Sequence, residues 1–499
     1  MGETNVGPRS LDARRTGALS VWIAVIVVPL FLVAPALWNG YPLLEWDTGG
    51  YLARWYEGYL VPSRSTVFGL YLHFGEGSSF WLNLGVQALA TLWVLQLTLR
   101  VLGMGQPSRL LAIGLLLMLT TALPWLASML LTDIFAGLAV LSLFILVAQG
   151  HRISPHEKSA LLVFTAFAAA THSATLGVLV GLCCLGLLVR PFLRGMISLA
   201  GLLQGSLALA TGAVMLVSAN YALSGKLAWT PGGTGVAFGR MLQDGIVTQY
   251  LRDHCGREKL KLCPYRNELP PSADQFLWGN SMFNSLGRFE GLNDEMGYIV
   301  THSLADYPTW QAEAAIAATA RQLVDVATGE GVSDGWLGHT YGIMKRYIPA
   351  QIAPMRAAHQ QLARINFSAV NRVHVPVALI SMLLVAAMFG RALFRRRFDD
   401  LALLAATVSF ALLGNALICG VISGPHDRYG ARMAWIATLT VLLAAARYLD
   451  DHAEANELSL APRQKIGNAC LVDLVANGTH VVAVRDVEHL RAGDDVAQR

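Results

Sequence analysis

The sequence predicts an all-α polytopic membrane protein of about ten transmembrane helices, one pair of them short and hairpin-like. Three observations carry this. The 499 residues are 54% hydrophobic and only 14% charged, against roughly 25% charged in a soluble domain. The mean hydropathy is +0.47. Apolar runs near the roughly twenty residues that one helical crossing needs recur along the chain. The net charge of +4 is small, and basic residues gather between apolar runs, as at Arg395 to Arg397. That pattern reports membrane orientation rather than nucleic-acid binding.

The runs fall at 17–38, 79–99, 109–127, 131–149, 160–189, 196–219, 373–394, 399–422 and 431–447. Arg14 and Arg15 precede the first, and APA at 34–36 raises a cleavable signal peptide. The run exceeds the roughly 7–15 apolar residues of such a peptide, so it reads as a retained span. The stretch 109–149 is too long for one crossing, and Pro124, Thr132 and Asp133 mark its reversal. A single crossing at 160–189 would put RPFLR (190–194) and the later FRRRF outside, against the positive-inside bias. Two short helices reversing near THSAT (171–175) put both basic loops inside.

The organisation expected is then a cytoplasmic N-terminus (1–16), an N-terminal transmembrane module (17–221) with a periplasmic loop (39–78), a periplasmic domain (222–370), C-terminal transmembrane helices (371–448) and a cytoplasmic tail (449–499). The periplasmic domain opens with PGGTGVAFG and is expected to be mainly helical, near 305–327 and 350–366. Cys255 and Cys263 bracket CGREKLKLC, where a disulfide is expected in an extracytoplasmic compartment. Cys183, Cys184 and Cys419 read as small core residues. The tail, with ACLVDLVANGTHVVAVRDVEHL, suggests one or two short strands or a partly ordered extension. Asn-Phe-Ser (366–368) and Asn-Gly-Thr (477–479) match a glycosylation sequon, which chance supplies often.

Two groups of residues carry chemistry. The first loop opens with LLEWDTGGY (43–51), which places Glu45 and Asp47 at the apolar edge. There a carboxylate's proton affinity is tunable, as a general base requires, and two acids at i, i+2 can share a divalent cation with a substrate phosphate. The competing reading is a solvated turn in which Asp47 caps the next helix. Residues 50–60 would present Tyr51, Trp55 and Tyr59 on one helical face lying on the bilayer. The second group is SGPHDRYGAR (423–432). Arg428 and Arg432 share a helical face there and suit a phosphate, with His426 and Arg64 as further candidates; the competing reading pairs the arginines with lipid headgroups or Asp427. Asp133 and His172 are secondary candidates as ionisable residues at membrane depth, against ordinary roles as a helix cap and an interhelical hydrogen bond. Arg240 and Asp244, at i, i+4, read as a helix ion pair.

Glu45-Trp46-Asp47, after the first span, resembles the acidic pair that the GT-C superfamily of polytopic glycosyltransferases places in its first external loop. The helix pair 109–149 and the short hairpin 160–189 also look like that fold. The resemblance implies a sugar transferred from a polyprenyl-phosphate donor to an envelope glycan or lipid acceptor at the periplasmic face, with Asp47 as catalytic base and Glu45 orienting it or helping to hold an ion. Separately, GRMLQDGIVTQYLRDHC, LPPSADQFLWGN and SGPHDRYGARMAW resemble a group of bacterial inner-membrane proteins of unassigned function. The expected localisation is the bacterial inner membrane. Two other readings stand beside transfer: a transporter or flippase of an anionic or polyprenyl-linked lipid, in which His172 would matter most, and a non-catalytic partner in envelope polysaccharide assembly.

Overall fold

The computed structural model describes residues 21–58, 62–230, 232–333 and 337–460. The chain divides into two compact units at residues 444 and 445. Five helices are long and apolar enough to cross a membrane: Trp81–Val101 (α5), Leu199–Ser224 (α11), Phe367–Arg395 (α20), Asp400–Ile422 (α21) and the stretch Asp427–Ala453 of the last helix, Asp427–Leu460 (α22). Shorter apolar helices accompany them at Val21–Leu32 (α1), Pro107–Thr120 (α6), Asp133–Ala148 (α8) and Ser173–Val189 (α10). The chain is thus a helical membrane protein.

Burial ranks these helices. Almost every residue of α8 is buried, which makes it the central helix. By contrast, α20 has the highest mean hydropathy of the five long helices, 2.2, with only 22% of that window buried. A helix apolar all round and covered by so little protein has lipid as its natural partner. Helix approach depends on small residues, as expected where apolar solvent gives no hydrophobic drive to association. Gly137 of α8 lies under the Trp435 indole of α22, and Gly212 of α11 lies against the Ala166 carbonyl.

The stretch 160–189 is a hairpin. Helix α9, Pro155–Thr171, begins with a capping box between Ser154 and Glu157 and ends at His172, whose backbone is extended. The His172 Nδ1 then accepts the Ala174 N–H and caps α10. Ala166 and Ala170 of α9 face Gly212 and Leu216 of α11, a parallel register. Cys183 and Gly186 of α10 face Gly205 and Leu202, an antiparallel register. The chain therefore reverses at His172. Between Pro107 and Ala148 a similar reversal comes from the broken turn Leu123–Ala127 (α7) before Asp133.

These reversals gather the basic loops at one end. Arg100 pairs with Glu157 at 2.8 Å, Arg152 with Asp400 at 2.8 Å, and the Ser198 N–H donates to the Val147 carbonyl. The opposite end carries Thr48–Glu57 (α3), Thr66–Gly75 (α4) and residues 222–370. Part of that last region packs around its own core of Phe238, Tyr250, Phe276 and Met296, beside the Cys255–Cys263 disulfide. The rest lies on the helical bundle. Pro308–Val324 (α17) packs on α21, where the Ala318 carbonyl meets Gly420. Arg240 pairs with Asp244 as expected, and its Nε also donates to the Gly420 carbonyl at 3.1 Å, tying Gly233–Gln243 (α12) to the end of α21.

Several expectations are corrected. Tyr51 and Trp55 do not share a face on the bilayer: Tyr51 is buried against Phe68, Trp55 is exposed and stacked on His73, and Tyr59 lies outside the described residues. Amphipathic spacing told that a face exists, not which element would cover it. Residues 350–366 form only short helical pieces, chiefly Ile352–Arg356 and His359–Leu362, rather than one helix. Cys184 is exposed, unlike Cys183 and Cys419. In the second unit the chain stays helical to Leu460, and the sequence from 461, with the expected tail strands and the second sequon, lies outside the described residues. Asn366 of the first sequon caps α20 by accepting the Ser368 N–H.

Gly212→Val is expected to lower the thermal unfolding midpoint in detergent by the equivalent of about 1–3 kcal/mol of overpacking. An added Cβ would lie 2.6 Å from the Ala166 carbonyl oxygen. The control is Gly181→Val on α10, where nothing lies within 4 Å of the added atom. Equal midpoints for the two variants would contradict the α9–α11 register.

Candidate functional site

The end opposite the basic loops holds a buried cluster of charge. Its scaffold is the segment before α3. The Leu43 N–H donates to the Ser128 carbonyl at 2.9 Å and the Leu130 N–H to the Leu43 carbonyl at 3.0 Å, a short parallel bridge to the turn before α8. On the other side Gln360 reads Leu44 with both ends of its amide, accepting its N–H at 3.0 Å and donating to its carbonyl at 2.6 Å, and donates also to Val332. Thr48 Oγ1 accepts the Glu45 N–H and donates to the Leu130 carbonyl. Glu45 and Asp47 are therefore held in a fixed backbone, not in a wet turn.

Helix α22 supplies the counter-charge. It starts at Asp427, whose Oδ1 accepts the Ala327 N–H, so Asp427 is not the arginines' partner. Arg428 Nη1 donates to Glu45 Oε1 at 2.6 Å and to Asp47 Oδ2 at 2.8 Å, and its Nε lies 3.2 Å from Asp133 Oδ2. One turn on, Arg432 Nη1 lies 3.6 Å from Asp133 Oδ1, while its Nε and Nη2 donate to Asn415 Oδ1. Arg64 grips the other oxygen of Asp47 and sits over the Tyr51 ring. Asp133 opens α8, so its carboxylate meets a helix N-terminus as well as two guanidiniums. Asp47 stands at the N-cap of α3 but makes no side-chain cap bond; its oxygens go to the arginines.

The two acids of the pair differ. Glu45 is fully buried, and burial drives its carboxyl well above the usual range, with Arg428 offsetting only part of that. Burial also works against ionised Asp47, yet Arg64 and then Arg428 outweigh it and hold it below the usual range. Environments that push two neighbouring carboxyls apart are how one site holds a neutral acid beside an ionised one. Asp47 is the more accessible, with 11% of its side chain exposed against none of Glu45.

The predicted acids, arginines, His426 and Tyr51 lie in this cluster or at its rim, and His172 feels the charges of Arg432, Arg428 and Arg64; Cys255 and Cys263 pair beside the separate core. His426 sits at the rim: Nδ1 lies 2.8 Å from Glu330 Oε1, and Glu330 Oε2 accepts the Arg428 N–H at 2.9 Å. Burial opposes the His426 imidazolium, and the bond and charge of Glu330 more than compensate, so its pKa rises. The charges gather at one end and do not line a path along the helices.

Sequence reasoning missed the groups that place these side chains. Glu330 lies in a loop whose Gly331 has φ +77 and passes so close that a Cβ there would overlap Glu45 Oε1, while the Gly331 carbonyl accepts the Trp46 N–H. Arg54 is buried in α3 and donates from Nε and Nη2 to the Arg64 carbonyl. Only Arg54 left a trace in the sequence, as a charge inside an amphipathic stretch.

A divalent cation does not fit the acidic pair. Glu45 Oε1 and Asp47 Oδ2 converge on a guanidinium, and among the described residues no three His, Cys, Asp or Glu side chains are arranged to hold a metal. Comparison with protein-family models, curated proteins and solved structures finds no match to this chain.

Arg428→Met should cost about 3–5 kcal/mol, because it strands buried carboxylates. The pH dependence discriminates. In the wild type, Asp47's depressed pKa contributes stability that is present above the usual carboxylate range and lost as pH falls through the folded-state value. In Arg428→Met, protonation relieves the uncompensated acids, so stability should rise on acidification. Parallel pH profiles of the unfolding midpoint would refute this assignment.

Proposed function

We propose that the chain is a membrane glycosyltransferase that moves a sugar from a polyprenyl-phosphate donor to a hydroxyl acceptor on an envelope glycan or lipid. The observation that supports this best is the convergence of Glu45, Asp47, Arg64, Asp133, Arg428 and Arg432 at one end of a helical bundle. These six come from three segments far apart in the chain, at 45–64, 133 and 428–432. A purely structural knot of charge is expected to be saturated. This one is not: Arg428 Nε, Arg432 Nη1 and both oxygens of Asp133 make no well-formed hydrogen bond. Two guanidiniums with unsatisfied donors, Arg428 and Arg432, beside a third at Arg64, suit a phosphate.

The reading assigns roles as follows. The end with the basic loops faces the cytoplasm, by the lysine and arginine bias, and the shorter apolar helices bring the crossings to about ten. The charged cluster then faces the periplasm of a bacterial inner membrane. A void beside His374 and Trp435 is about 10 Å³, room for one water. The donor gains access by displacing contacts: its phosphate takes Arg64 and Arg428 from Asp47. Asp47, with its counter-charges shared, gains proton affinity and accepts the proton of the acceptor hydroxyl. The hydroxyl oxygen bonds to the anomeric carbon as the carbon–oxygen bond to phosphate breaks, and the arginines stabilise the negative charge on the departing lipid phosphate. Glu45 and Asp133 hold the guanidiniums in place.

Asp47→Asn is expected to lower transfer by about a hundredfold or more, the scale of a lost general base. The measurement is mass spectrometry of envelope glycans and glycolipids from a deletion strain complemented with wild type, Asp47→Asn or Arg428→Lys at matched membrane levels. A sugar-sized mass restored only by wild type supports the assignment. Full restoration by Asp47→Asn sinks it, and leaves the cluster as a fold-stabilising network or part of a lipid carrier.

A further inference from the structure

We propose that His426 and Glu330 form a proton-accepting dyad at the rim of the cluster, which receives the acceptor's proton from Asp47 and delivers it to solvent. The proposal rests on the glycosyl-transfer reading and adds a residue pair to it.

The argument begins with how firmly one rim side chain is held. Gln322 of α17 grips both backbone groups of His426, accepting its N–H at 3.0 Å and donating to its carbonyl at 2.8 Å. Glu330 fixes the ring through Nδ1 and is itself fixed by the Arg428 N–H. The ring edge also meets Trp46 and Tyr429. Yet 22% of the side chain is exposed, so packing alone does not call for this restraint. A carboxylate on Nδ1 selects the tautomer with its proton there and leaves the lone pair on Nε2. Among the described residues Nε2 has no hydrogen-bond partner.

The chemistry needs such a group. A proton left on Asp47 sits between Arg64 and Arg428, which favour the ionised carboxylate, so it must move on before the cluster can close again. The charges facing His426 favour receipt: Glu330 and the more distant Asp274 stabilise an imidazolium, and Arg428 opposes it. In balance, the acceptor O–H breaks as its oxygen bonds to the anomeric carbon, and the electron pair of the broken carbon–oxygen bond leaves on the lipid phosphate. The proton passes from Asp47, which feels the charge of His426, by way of water to His426 Nε2, and from the imidazolium to bulk water. Asp47 returns ionised and His426 neutral, with no co-reactant.

The test uses membranes carrying the full-length protein, with the polyprenyl-lipid extract of the deletion strain as donor and that strain's envelope as acceptor. Transfer is followed between about pH 5 and pH 9, the range in which an imidazole changes charge. An imidazolium cannot accept a proton, so the wild-type rate should fall on the acid side. His426→Gln should slow transfer about tenfold or more, abolish that acid limb and recover with added imidazole. Glu330→Gln removes the charge that raises the imidazole's proton affinity, so its acid limb should move to lower pH. A wild-type rate and profile in His426→Gln would overturn the relay, as would a loss that imidazole does not recover with the acid limb unchanged. If the wild type transfers nothing at any pH, the glycosyl-transfer reading falls, and the relay with it.

Discussion

Everything at the charged end depends on one buried cation. Arg428, with 7% of its side chain exposed, meets Glu45, Asp47 and Asp133 through two nitrogens. An isolated charge of either sign would be costly to bury here, and removing one partner leaves the others uncompensated. The first loop, the start of α8 and the start of α22 are thereby made mutually necessary. Glu330 extends the dependence to a fourth segment by accepting the Arg428 backbone N–H. A neutral side chain at 428 would have to find partners for three acids at once.

The helical bundle makes that meeting geometrically available. Reversals at residues 123–132 and at His172 return the chain each time to the end where the basic loops lie, and they leave Asp133 and the turn before α22 at the other. Glycines set the approach of the helices, as where Gly137 admits the Trp435 indole between α8 and α22. That contact holds the helix carrying Asp133 beside the helix carrying Arg428 and Arg432. Packing among apolar residues thus decides the distance between charges that those residues never touch.

The cluster combines firm positioning with incomplete satisfaction. Backbone contacts from Gln360, Thr48 and Gly331 immobilise the acidic pair, while buried donors and acceptors around Asp133 stay short of full hydrogen bonding. The opposite shifts of Glu45 and Asp47 come from position alone: the first is sealed beneath Gly331, and the second is shared by two arginines. Neither direction would follow from the residues' chemistry in water.

The apolar runs determined the class, because about twenty apolar residues have few stable environments other than a bilayer. Charge bias selected the hairpin at 160–189, since a basic loop on the wrong side is disfavoured, and the Cys255–Cys263 pair was legible from spacing and context. Glu45, Asp47, Asp133, His426, Arg428 and Arg432 were legible as candidates because ionisable groups near a membrane are few. Their assembly into one cluster was not. Pairing across some 380 positions of chain, as between Glu45 and Arg428, leaves no local pattern. For the same reason Glu330, Gln322, Gln360 and Arg54 passed as ordinary loop or surface residues, and the burial of Tyr51 went unseen. Local periodicity states which residues can share a face; only tertiary packing decides what covers that face and which charge stands opposite.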